Sequence, residues 1–147
     1  MTVDERSFQL GMINCFAEMV SVGVKRLAIS PPLTPEEYED VKEASAAIVE
    51  GSGIQSYLEQ FLLVTHLQTP EFTRGKWSIL YFKESETLEA YLALKARKEE
   101  LEAQGRLSEE ANADISRDFM RLLSYPETVI EEKIRGGGAS DPFMLES

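Results

Sequence analysis

The chain has 147 residues, 43% apolar and 28% charged, a balance typical of a folded protein rather than a disordered one. Its 26 acidic side chains outnumber 15 basic ones, and the net charge of −11 opposes binding to nucleic-acid phosphates. A single cysteine, Cys15, and a single histidine, His66, exclude structural zinc sites, Cys-x-x-Cys redox chemistry and multi-histidine metal centres.

Helical spacing begins early. Phe8, Met12, Cys15, Phe16, Met19 and Val20 share one predicted helix face, and Gly23 weakens or ends that helix. Residues 25–30 read as a last helical turn or as a short strand, and Pro31-Pro32 stops either. Thr34-Pro35-Glu36-Glu37 is a capping box. The Thr34 hydroxyl accepts from the amide three residues on, Pro35 sits where no N–H is needed, and Glu37 reaches back to the cap. Behind it Tyr38, Val41, Ser45 and Ile48 form an inward stripe, closed by Gly51 or Gly53.

Over residues 54–67, Ile54, Tyr57, Leu58, Phe61, Leu62 and Thr65 repeat at helical spacing, with Leu63, Val64 and Leu67 opposite. This pattern predicts a helix buried nearly all round; the alternative is a helix that gives way to a strand over residues 61–67. A loop over residues 68–75 leads into residues 76–83, the most strand-like stretch, where Trp77, Ile79 and Tyr81 take one face and Leu80 and Phe82 the other. Ser85 is expected to cap a helix reaching about Gln104, with Gly105 as its stop and Leu88, Tyr91, Leu92, Leu94 and Leu101 as its apolar side. Ser108 starts another, with Ala111, Ile115, Phe119, Leu122 and Leu123 inward. Ser124-Tyr125-Pro126-Glu127 opens a final short helix carrying Val129, Ile130 and Ile134.

The expected fold is mainly α: five or six helices in a compact orthogonal or bundle-like arrangement, with room for a small β pair around residues 76–83. The partner strand is either residues 25–30 or residues 61–67. One globular domain over residues 1–135 is followed by a glycine-led tail, 136–147, which reads as a disordered tail or, through the apolar Phe143, Met144 and Leu145, as a docking segment. The acidic N-terminus and the interrupted apolar stretch behind it do not fit a signal peptide, so the expected location is cytoplasmic, without a membrane partner.

Few residues carry chemistry. Cys15, flanked by Met12, Phe16 and Met19, reads as a small core hydrophobe rather than a nucleophile. His66 borders the most basic loop, and together with Arg74 and Lys76 it is the first choice for a catalytic or anion-binding pocket. Gly51-Ser52-Gly53-Ile54-Gln55-Ser56 lacks the preceding strand that a phosphate loop needs. Glu110, Asp114 and Asp118 share a helix face at four-residue steps. Arg117 and Arg121 among them favour a solvated, ion-paired face over a Mg²⁺ site. No cofactor motif and no metal-ligand spacing is present.

Two function classes fit this pattern. The first is a small cytosolic protein that works by protein–protein contact or regulation, as a homodimer or on a protein partner. The alternative is a small enzyme or binding protein for an anionic small molecule, with a pocket near His66 and Arg74.

Overall fold

Every residue of the strand Ser78–Phe82 is buried, so its apolar run, Ile79-Leu80-Tyr81-Phe82, is covered on both faces. The computed structural model of the chain describes residues 4–67 and 70–136. In chain order its elements are α1 (Glu5–Ser21), β1 (Leu27–Ile29), α2 (Pro35–Ser52), β2 (Gln55–Glu59), α3 (Pro70–Thr73), β3 (Ser78–Phe82), α4 (Ser85–Ala103), α5 (Glu109–Leu122) and α6 (Glu127–Gly136). The strands form one antiparallel sheet in the order β1-β3-β2. The helical content agrees with the sequence reading, and the sheet has one strand more than the expected pair.

Alternation along the strands divides the core between two helical layers. Ala28, Ile79 and Tyr81 pack with Ile13, Ala17 and Val20 of α1 and Val41 of α2. Leu27, Ile29, Leu80 and Phe82 pack with Tyr91 of α4 and with Ile115, Phe119 and Leu122 of α5. The molecule is therefore layered helix–sheet–helix. Tyr81, aromatic but not fully apolar, places its hydroxyl 2.8 Å from Ser45 Oγ inside the first layer, so its polar end is satisfied.

Three expectations need correction. Residues 54–67 are not helical. Gly53, at φ 68°, closes α2 in the left-handed region, and β2 then pairs along β3 from Gln55↔Phe82 to Glu59↔Ser78. Residues 60–67 form an irregular connection, so β3 takes residues 27–29 and 55–59 as its partners. The second correction concerns α1, whose buried face is Gln9, Ile13, Ala17 and Val20. It is rotated from the predicted stripe, and Cys15 is exposed. Finally, α4 is capped at Glu84, with no side-chain hydrogen bond, and Ser85 is already its first helical residue. Leu92 is correspondingly exposed rather than part of the apolar side.

Other signals agree with the structure. Thr34 Oγ1 accepts from the Glu37 amide at 3.1 Å, and Glu37 Oε1 accepts from the Thr34 amide at 2.8 Å. Ser108 caps α5 through the Ala111 amide at 3.0 Å. Ser30, buried just before the proline pair, accepts from the Ile79 amide at 2.9 Å and so ties the end of β1 to β3. The helix α6 extends to Gly136; the tail reading for Phe143, Met144 and Leu145 lies outside the described residues.

Thr34→Ala removes one half of the capping box and leaves the Glu37 amide without its acceptor. The expected loss is about 0.5–2 kcal/mol of unfolding free energy, read as a lower urea midpoint at unchanged slope.

Candidate functional site

The register of the sheet puts a carboxylate where charge is costly. Glu59, the last residue of β2, is 4% exposed, and a buried carboxylate persists only if its oxygens are paired. Both are. Oε2 accepts from the Tyr91 hydroxyl at 2.8 Å and from Lys95 Nζ at 2.9 Å. Oε1 accepts from the Phe61 amide at 3.0 Å. Tyr91 and Lys95 stand four residues apart, hence on one face of α4. The Tyr91 hydroxyl in turn accepts from the Leu63 amide at 3.1 Å. Burial, helped by the neighbouring Glu59 charge, holds the Tyr91 phenol well above its ordinary value.

This network fixes the connection over residues 60–67, which no ladder or helix supports. Lys98 Nζ donates to the Val64 carbonyl at 2.7 Å, the Leu67 amide donates to Thr65 Oγ1 at 3.1 Å, and the His66 amide donates to Ser116 Oγ at 3.1 Å. Leu62, Leu63 and Leu67 then turn into the core. Phe61 does the opposite: it is 77% exposed. A shallow cleft of about 190 Å³ lies beside it, walled by Phe61, Leu62, Leu63 and Val64 and by Lys95, Lys98, Glu99 and Glu102 of α4.

His66 is half-buried, and its Nδ1 lies 2.7 Å from Ser116 Oγ. The same hydroxyl accepts from the His66 amide, so backbone and ring of His66 are both held by Ser116. Arg74 is exposed and Lys76 half-buried, in the turn between α3 and β3. Neither makes a hydrogen bond or ion pair with His66 among the described residues. None of the three lines the cleft beside Phe61, the cleft of about 170 Å³ between α1 and α2, or the cleft of about 410 Å³ at the start of α4.

The glycine motif at residues 51–56 ends a helix and begins a strand, so no helix N-terminus follows it to face a phosphate. Two of the three carboxylates in the α5 stripe, Asp114 and Asp118, are occupied. Asp114 pairs with Arg117 at 2.9 Å and Asp118 with Arg121 at 2.9 Å, while the same arginines reach Glu131 and Glu127 at 2.8 Å. These pairs tie α5 to α6. Among the described residues no group of three or more His, Cys, Asp or Glu converges as for a metal ion, and no helix is long and apolar enough to cross a membrane.

Neither Glu59 nor Phe61 was singled out in the sequence. The usable signal is an isolated acidic residue inside an apolar run, Leu58-Glu59-Gln60-Phe61: a charge there needs partners from elsewhere in the fold. No family model, no curated protein and no solved structure matches the chain.

Tyr91→Phe leaves the Leu63 amide without its acceptor and Glu59 without one of its donors. The expected loss is about 1–3 kcal/mol in denaturant unfolding. A second test is pH. The phenols of Tyr81, Tyr91 and Tyr125 are all raised by burial, so above about pH 10 the unfolded chain has released protons that the folded chain keeps. Stability is therefore full below that pH and falls as pH rises through it. The fall is measured as a declining urea midpoint and is shallower in Tyr91→Phe.

Proposed function

We propose that the protein is an interaction module that presents Phe61 to a protein partner carrying an apolar side chain flanked by Lys or Arg. The observation behind this reading is the contrast at residues 59–67, where an aromatic ring lies in solvent on backbone held by Glu59, Tyr91, Lys98 and Ser116. An anchor already fixed in place loses little conformational freedom on binding, and large aromatic side chains often dominate interface energetics. The cleft beside Phe61 offers an apolar wall for one inserted side chain.

Charge points to the kind of partner. Lys95 is engaged with Glu59, and Lys98 with the Val64 carbonyl. Glu99 and Glu102 are exposed on the rim, and the whole chain carries −11. A basic partner is attracted over long range, whereas a second copy of this chain is repelled.

Phe61→Ala is expected to keep the melting temperature of the parent, since the ring buries little. The partner is first captured by the wild-type chain, then identified, purified and titrated. Its affinity is expected to drop at least about tenfold with Phe61→Ala and to weaken as salt rises. A partner that binds both chains equally overturns the assignment of Phe61. A concentration-dependent dimer in sedimentation, lost in Phe61→Ala, gives the surface to a second copy instead.

A further inference from the structure

The cleft at the start of α4, about 410 Å³, is the largest of the three and falls in the size range of small-molecule sites, about 300–1,000 Å³. Lys25, Arg26 and Lys83 line it. None of these cations pairs with a carboxylate among the described residues. Lys25 Nζ donates to the Leu123 carbonyl at 2.8 Å and Lys83 Nζ to the Ser21 carbonyl at 3.5 Å. The Arg26 guanidinium has no partner among the described residues.

A second feature aims at the same space. Thr87 is 3% exposed and lines the cleft, yet its hydroxyl makes no hydrogen bond among the described residues. Thr87 shares that lining with Arg26 and Lys83. Thr87 also stands in the first turn of α4, a helix of 19 residues whose N-cap, Glu84, gives no side-chain hydrogen bond. The Thr87 amide donates to the Glu84 carbonyl at 3.0 Å, and the Ser85 and Glu86 amides stand without a side-chain cap at the positive end of the helix dipole.

We propose that this cleft binds the phosphate group of a small phosphate monoester through Arg26, Lys83, Thr87 and the first turn of α4, with Lys25 beside them. Arg26, Lys83 and Thr87 all line the cleft and carry the N–H and O–H donors that the oxygens of a phosphate require. Glu84 and Glu86 also line the cleft and oppose any anion. That repulsion is offset by Lys25, Arg26 and Lys83, three cations against two carboxylates, and a group with several acceptor oxygens makes the most of these donors. Val20 and Gly23 form the remaining wall, against which the organic part of the ester rests.

The test is an NMR titration of the full chain with phenyl phosphate, inorganic phosphate and phenylacetate at fixed ionic strength. Phenyl phosphate is expected to give saturable amide shifts at Ser85, Glu86 and Thr87 and at Lys25 and Arg26. Arg26→Gln and Lys83→Gln, both at exposed positions, are each expected to weaken binding about tenfold; Thr87→Val is expected to weaken it about threefold. Should Thr87→Val fail to fold, the two exposed variants still decide. The proposal is overturned by shifts that do not saturate by about 20 mM ligand, by the same shifts with sodium chloride, or by unchanged affinity in both exposed variants. Phenylacetate binding as tightly as phenyl phosphate overturns the preference for phosphate. Inorganic phosphate doing so overturns the role given to the organic wall.

Discussion

A strand that is apolar on both faces cannot lie on a surface, and β3 imposes that condition on everything around it. Each face must be covered by a separate helical layer, and each of its edges accepts a partner strand. Burying one large aliphatic or aromatic side chain is worth about 1.5–3 kcal/mol, so five consecutive buried residues, Ser78 through Phe82, outweigh the weak preferences of the short strands on either side. β1, only three residues long, has little reason to form except against β3. The division of α1 and α2 from α4 and α5 follows directly from the side-chain alternation of this one strand.

The same alternation fixes the polar network. Leu58 opposes Ile79 and packs toward α1 and α2, and its neighbour Glu59 opposes Ser78 and turns toward α4. A slip of one residue in the register exchanges the two, putting a carboxylate among Ile13, Val20 and Tyr81. The Glu59–Tyr91–Lys95 contacts thus do more than satisfy a charge: they penalise the wrong register. They also hold the backbone that carries Phe61. The cleft at the start of α4 depends on a different edge, where the chain leaves α1 and enters β1. There Lys25 is anchored to the end of α5 through the Leu123 carbonyl, and the Arg26 amide through Ser124 Oγ at 3.0 Å.

Local signals in the sequence were legible where the physics is local. The Thr34 capping box, the Ser108 cap, the glycine stops and a strand within residues 76–83 need only near neighbours, and the structure has each of them. Residues 54–67 read as a helix because apolar groups at steps of three and four arise there from two unrelated causes: alternation in β2, then a loop that drops Leu62, Leu63 and Leu67 into the core. Spacing alone cannot separate these from a helix. In α1 two apolar stripes compete, and the buried one contains the polar Gln9, so the stripe through Met12 and Cys15 looked stronger. His66 stands out in the sequence as the lone histidine beside the most basic loop, and the structure gives it Ser116 as a partner. Glu59 and Thr87 are ordinary residue types whose interest comes from burial, which sequence does not print.

The order in which the elements are synthesised gives the sheet topology a further meaning. β1 and β2 are made first, with α1 and α2 beside them, yet they never touch each other; the strand that separates them emerges last of the three. Until residue 82 has left the ribosome, the first half of the chain holds two strands with no neighbour and a helical pair whose apolar face has no sheet to cover. Nucleation is thereby deferred to long-range pairing, which tends to slow folding and prolongs the exposure of apolar surface. The strand that completes the core also sets the timing of its assembly.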